Sequence, residues 1–325
     1  MNKNVLVIGG AGYIGSHTCK KLQQLGYNPI VYDNLVHGHK SSVKWGPIEV
    51  GDLLDFDRLS EVLGKYKPIS IIHFAAYAYV GESVLDPSKY YRNNVVGSLN
   101  LLDAMRVNKI KSLIFSSSCA TYGIPTRVPI TEDAPQIPIN PYGTTKLTVE
   151  KMINDFSHAY DLDCVVLRYF NAAGADLDGE IGENHLPETH VIPLILQTAL
   201  KKREHFYIFG NDYDTPDGTC IRDYVHVDDL AQAHISSLKY LEGGGSSTQY
   251  NIGNGSGYSV RELVTEAERV TQGEISLIIA GRRVGDPAIL ISDSQKIKNE
   301  LGWQPEYSDI NTILETSWRW QKGLI

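Results

Sequence analysis

The apolar run Val5-Leu6-Val7-Ile8 leads directly into Gly9-Gly10-Ala11-Gly12-Tyr13-Ile14-Gly15, and a helical pattern opens immediately behind it. A strand, a glycine-rich turn and a helix in this order begin a dinucleotide-binding βαβ unit. Glycines let the backbone turn tightly and approach a pyrophosphate, whose charge meets the free N–H groups and positive end of the helix. Asp33 closes the next apolar run, 18 residues after Gly15. An acid there can accept hydrogen bonds from the adenosine ribose hydroxyls and repels a 2′-phosphate, so NAD is expected over NADP.

Outward from that turn, apolar runs at 5–8, 30–32, 71–74, 113–115 and 164–167 alternate with helical patterns at 12–25, 57–66, 84–107 and 141–160. This alternation predicts an α/β fold, a doubly wound parallel Rossmann sheet buried on both faces. After Leu167 the alternation fades into turn-rich stretches at 174–188 and 210–219, which suit loops enclosing a ligand. Helical patterns return at 191–202, 227–241, 260–271 and 310–321. We therefore expect an NAD-binding domain over 1–170 and a smaller mixed α/β substrate lobe over 171–325, with the chain free to cross between them.

Composition narrows the function classes. Of 325 residues, 42% are hydrophobic and 21% charged, with a mean hydropathy of −0.20, a globular profile. No apolar run approaches the ~18 residues of a membrane span, and Met1-Asn2-Lys3-Asn4 leaves no room for a secretory signal, so a cytoplasmic location is expected. A net charge of −8 argues against a nucleic-acid or lipid surface. Cys19, Cys119, Cys164 and Cys220 form no CxxC pair and read as reduced, buried thiols. His37-x-His39 has no further ligand at metal spacing, so no metal is expected.

Tyr142-Gly143-Thr144-Thr145-Lys146 places a phenol and an ammonium one helical turn apart. Among 19 tyrosines that spacing is weak by itself; its position gives it weight. Pro141 can begin the helix, and Ser116-Ser117-Ser118 follows the fourth of the apolar runs, at the carboxyl edge where open α/β sheets bind ligands. A free phenol titrates near ~10. A nearby ammonium and the positive nicotinamide ring both favour the phenolate, which can then act as a base, while Ser118 can hydrogen-bond the reacting hydroxyl.

Taken with Phe74-Ala75-Ala76, Asn93-Asn94-Val95, Arg168-Tyr169-Phe170-Asn171, Arg222-Asp223-Tyr224-Val225-His226-Val227 and Arg282-Arg283-Val284-Gly285-Asp286, these motifs resemble the successive signatures of the UDP-galactose 4-epimerases, within the extended short-chain dehydrogenase/reductases. The resemblance runs in order from Val5 to Trp303. It implies NAD held by Gly9, Gly12, Tyr13, Ile14, Gly15, Asp33, Asn34, Asp52, Leu53, Phe74, Ala75, Ala76, Asn93, Ser116, Tyr142, Lys146 and Tyr169. It implies catalysis by Ser118, Tyr142 and Lys146, and a UDP-sugar gripped by Ser118, Tyr142, Asn171, His190, Val191, Arg222, Tyr224, Arg283, Asp286 and Leu290, the two arginines meeting the diphosphate. A homodimer through 84–107 and 144–160 is implied in the same way. There are departures: Ala78 stands where several epimerases carry a lysine, His190 where some carry an asparagine, and the segment from Asp33 to Gly51 is shorter than in some relatives.

The implied reaction is inversion of carbon 4 of a UDP-hexose through a transient 4-keto sugar. Alternatives are a 4-epimerase for UDP-N-acetylhexosamines or UDP-pentoses, a nucleotide-sugar 4,6-dehydratase, and a dinucleotide sensor without turnover. A dehydratase needs an acid and a base beside its serine or threonine, whereas Cys119 and Ala120 follow Ser118 here.

Overall fold

The computed structural model describes residues 3–283 and 286–324; of the motifs above, Val284 and Gly285 lie outside the described residues. Six strands, β1 (Asn4–Ile8), β2 (Asn28–Asp33), β3 (Ile48–Val50), β4 (Ser70–His73), β5 (Ser112–Ser118) and β6 (Asp163–Tyr169), join a seventh, Thr248–Ile252, in one sheet. Its order is Thr248–Ile252, β6, β5, β4, β1, β2, β3, and every pairing is parallel. The five predicted strands are thus all in one sheet; β3 is a short edge, and Thr248–Ile252 is too polar in pattern to stand out.

Successive side chains of a strand point to opposite faces, and both faces are buried. Leu6, Ile8, Ile30, Tyr32, Leu113 and Phe115 pack beneath Leu59 and Leu63 of the helix Phe56–Tyr66, Leu101 and Met105 of Gly97–Val107, and Val149 and Ile153 of Pro141–Tyr160. Their neighbours Val5, Val7, Val31, Ile72 and Ile114 face Leu22 of Tyr13–Gln24 and Leu230 and Leu238 of Val227–Glu242. Chain order and lobe order therefore differ: Val227–Glu242 and Thr248–Ile252 return to the first layer from beyond residue 171. The strand order reverses between β1 and β4, opening a crevice at their carboxyl ends.

The helix expected over 84–107 is interrupted. Val80–Leu85 stops at Asp86, whose carboxylate accepts the Lys89 N–H at 3.1 Å, and Pro87 disfavours helical geometry in the residue before it. Pro87–Tyr90 then passes through one wide turn, Tyr91–Val96, into Gly97–Val107. The four cysteines are buried free thiols. Among the described residues no helix is long and apolar enough to cross a membrane.

The remaining elements form a second lobe around Ile192, Ile195, Leu196, Phe206, Leu263, Ile313 and Leu314. In it, Ile221–His226 pairs with Asn171–Ala173, Gly257–Ser259 and Ile289–Leu290, three segments far apart in sequence.

Candidate active site

At the carboxyl end of β1, Gly9 has φ +80°, and a Cβ there would lie 2.7 Å from the Ala75 nitrogen. A Cβ on Gly15 would lie 2.3 Å from the Gly9 oxygen. Both positions need glycine, one for its backbone conformation and the other for the approach of helix to turn. The helix Tyr13–Gln24 has Gly12 as its N-cap, with no side-chain cap and no acid in its first turn, which leaves its positive end open to an anion. Phe74 and Ala75 donate their N–H groups to the Ile8 oxygen at 2.8 and 3.1 Å, holding the floor of the crevice against β1.

Asp33 is buried, with one oxygen accepting the Ala11 N–H at 3.0 Å and the other the Leu35 N–H at 2.8 Å. Burial raises its pKa, and those two hydrogen bonds oppose the rise. Asn34 donates to Asp52 at 2.8 Å, and Leu53 packs against Gly97, so these residues line up beyond Asp33. Tyr13 donates its hydroxyl to the Gly174 oxygen at 2.6 Å, tying the glycine turn to the second lobe. The open helix end and the space kept by the glycines fit a dinucleotide.

Asn140 caps the helix Pro141–Tyr160 by accepting the Gly143 N–H at 2.8 Å. A Cβ on Gly143 would lie 2.4 Å from the Ala120 oxygen, so this glycine lets the helix close on the turn after β5 and sets Tyr142 beside Ser118. The Ser118 hydroxyl accepts the Ala120 N–H at 3.1 Å and faces the Tyr142 phenol, whose pKa it lowers. Lys146 Nζ donates to the Ser116 oxygen at 2.7 Å and lies 6.0 Å from the centre of the Tyr142 ring. Burial lowers the Lys146 pKa to about 8, with Glu150 opposing, and burial pushes the Tyr142 phenol well above its ordinary range, with Ser118 opposing.

Two features here escape a reading of the sequence. Asn94, and not the half-buried Asn93, is the buried member of its pair: it binds both the N–H and the oxygen of Tyr77 and donates to Thr145 at 3.2 Å. Glu150, one turn beyond Lys146, is paired with Arg168 at 2.7 Å and accepts from Ser117, which braces the end of β5 against β6. Ser116 hydrogen-bonds His234 at 3.1 Å, and the Tyr169 ring lies 6.3 Å from the same imidazole.

The small sheet brings together four of the residues expected at the sugar nucleotide, Asn171, Arg222, Tyr224 and Leu290. Asn171 stands opposite Tyr224, and Leu290 opposite Arg222. Asn171 donates to the Asp223 oxygen at 2.9 Å, and Tyr224 is buried. Arg222 is paired with Asp286, while Arg283 is exposed, its guanidinium 4.0 Å from the centre of the Phe209 ring. Leu290 packs against the small apolar cluster of Cys119, Tyr122, Ile130 and Phe170, whose Cys119 follows Ser118 in the chain. Val191 begins the helix Val191–Ala199, and His190 precedes it with its ring turned toward Glu183 and Glu188.

The family described as "NAD dependent epimerase/dehydratase family" matches residues 5–253, from the first strand through the sheet's last one. The chain belongs to that family. Among similar members is a UDP-glucose 4-epimerase of Rhizobium meliloti, 52% identical over 319 residues, which are 98% of this chain and 97% of the relative. A UDP-glucose 4-epimerase from Brucella ovis, solved in complex with NAD, superposes with a TM-score of 0.96 at 53% identity, covering 97% of each chain. Another from Bifidobacterium longum, in complex with NAD+ and UDP, has a TM-score of 0.94 at 37% identity over 98% of each chain. As in other NAD-dependent epimerases and dehydratases, the cofactor is NAD.

Proposed function

We infer that this chain catalyses NAD-dependent epimerisation at carbon 4 of a UDP-hexose, interconverting UDP-glucose and UDP-galactose. The observation that carries this is the buried Ser118, Tyr142 and Lys146 group beside the dinucleotide crevice, in a chain whose relatives of near-equal length are UDP-glucose 4-epimerases. The test is to supply UDP-glucose, UDP-N-acetylglucosamine and UDP-xylose separately and measure each 4-epimer; UDP-galactose is expected from the first, and its absence sinks the reading.

The chemistry supplied by bound NAD is reversible acceptance of the carbon-4 hydride. Gly9, Gly12 and Gly15 with the helix end would hold its pyrophosphate, and Asp33 its adenosine ribose. Tyr142 takes the proton of the 4-hydroxyl. Its phenol is protonated in the cofactor-free protein, so the base forms when a positive ring binds near it beside the Lys146 ammonium. Ser118, its own acceptor side engaged by Ala120, orients the exchanging proton. Arg222 and Arg283 keep the diphosphate anchored while the sugar presents its other face, so inversion needs no release. Arg222 first exchanges its pairing with Asp286 for phosphate oxygens, which a planar guanidinium fork suits.

Elimination by a dehydratase would need an acid and a base after Ser118. The Cys119 thiol is buried and its pKa pushed up to about 12, and Ala120 has no titratable group. Val84, Leu85, Val96 and Leu99 are exposed on the segments 80–107, which supports the homodimer through that face and the neighbouring helix Pro141–Tyr160; sedimentation at micromolar concentration reads it.

Two substitutions probe specificity. Asp33→Asn removes the charge that repels a 2′-phosphate, and the preference for NAD over NADP should narrow roughly tenfold, the worth of one partly screened charge pair. Equal binding of both cofactors by the unmutated protein would assign Asp33 elsewhere. Leu290, packed against the Cys119, Tyr122, Ile130 and Phe170 cluster, must yield for an acetamido group to enter. Displacing a packed side chain costs ~1–3 kcal/mol, so N-acetylated sugars should be handicapped roughly ten- to a hundredfold. Leu290→Ser should recover them. The ratio of kcat/KM for UDP-galactose and UDP-N-acetylgalactosamine decides, and an unchanged ratio in the variant refutes it.

A further inference from the structure

The loop leading into Val191–Ala199 gathers Glu183, His185, Glu188 and His190, whose donor atoms all lie within 4.8 Å of one another. Both glutamate side chains are almost fully buried, at 6% and 5% exposure. His190 Nδ1 is 2.7 Å from Glu183 Oε1 and 3.1 Å from Glu188 Oε1. His185 Nδ1 is 3.2 Å from the same Glu183 oxygen, yet it is buried without a hydrogen bond. Glu188 Oε1 also accepts the Thr189 and His190 N–H groups at 2.7 and 2.9 Å, but among the described residues no lysine or arginine is paired with either glutamate, so the two buried carboxylates face only the two imidazoles as cations. The nearby Asp176, Asp178 and Glu180 differ: Lys20 Nζ sits among them at 2.8, 2.8 and 2.7 Å, so that cluster already has its cation.

We propose that Glu183, His185, Glu188 and His190 bind a divalent transition metal ion, zinc by their chemistry. Two imidazole nitrogens and two carboxylate oxygens are a tetrahedral zinc set, and arms of ~2.0–2.1 Å place donors ~3.4 Å apart, within the spread seen here. Magnesium and calcium favour oxygen shells without imidazole. The ion takes both Nδ1 lone pairs from neutral imidazoles and balances both buried carboxylates.

Its role is structural. The Glu183 backbone oxygen accepts from Trp320 Nε1 at 2.9 Å, His39 Nε2 hydrogen-bonds the Asn184 backbone oxygen at 2.8 Å, and the His185 ring stands edge-on to Tyr13. Metal binding would thus fix the start of Val191–Ala199 against the glycine turn, joining the two lobes beside the crevice. The site departs from the expectation of no metal, which considered only His37 and His39, and gives His190 to the ion instead of the sugar; the spacing Glu-x-His-x-x-Glu-x-His is contained in eight residues.

The test uses untagged protein dialysed against a chelator and then titrated with zinc chloride, with metal counted by mass spectrometry. One tightly held zinc per chain is expected, with Tm raised by ~5 °C at saturating metal. In His185→Asn/Glu188→Gln, zinc affinity should fall at least ~100-fold. Cobalt added to the unmutated protein should show the intense visible bands of tetrahedral coordination, a readout that needs no folded variant. No stoichiometric zinc, equal affinity in the double variant, or an octahedral cobalt spectrum would each overturn the proposal, whatever the epimerase activity.

Discussion

Tyr142→Phe should lower the epimerisation rate at least about a hundredfold while the protein keeps its NAD, the low end of what a positioned base contributes. Only the hydroxyl is lost. The ring stays buried at the start of Pro141–Tyr160, Asn140 still caps that helix, and Ser118 still accepts from Ala120, so neither fold nor crevice depends on the missing atom. Lys146 keeps its bond to the Ser116 oxygen. Turnover and bound NAD should be measured on one preparation. A near-normal rate in a variant that still carries NAD would remove Tyr142 from the mechanism, whereas loss of NAD would show that the phenol is a cofactor anchor first.

The largest stability effect is expected from Glu150→Ala. Glu150 and Arg168 are both buried; the guanidinium meets the carboxylate through Nη2 at 2.7 Å and through Nε at 3.1 and 3.2 Å. The same carboxylate accepts from Ser117 and from Gln136 at 3.0 Å. Removing it leaves Arg168 buried with only the Tyr122 hydroxyl at 2.9 Å and the Glu132 oxygen at 3.2 Å. An uncompensated buried charge of this kind costs about 3–5 kcal/mol, which in a chain of this size lowers Tm by roughly 5–15 °C. Denaturant unfolding of the two proteins reads the difference directly. A loss below ~1 kcal/mol would mean that water or a neighbour satisfies Arg168 and that the network does not brace the end of β5.

What the sequence by itself determined is what short-range geometry dictates. The run from Val5 to Gly15 specifies strand, turn and helix because each step is set by residues within a few positions. The Tyr142 to Lys146 spacing puts two groups on one helix face for the same reason, and five of the seven sheet strands are readable because burial on both faces demands unbroken apolar runs. The missed strands are those whose identity comes from a partner: Thr248–Ile252 is a strand because β6 lies beside it, and its polar residues gave no pattern. The stop at Asp86 was written in Asp86-Pro87, yet the apolar spacing on either side concealed it. Tertiary structure alone decided that Asn171, Arg222, Tyr224 and Leu290 share one small sheet, that Glu150 meets Arg168, and that Asn94 is the buried asparagine of its pair. Those placements depend on contacts between residues 17 to 68 positions apart, for which local propensity and periodicity carry no information, and they exist only once distant segments of the chain have packed together.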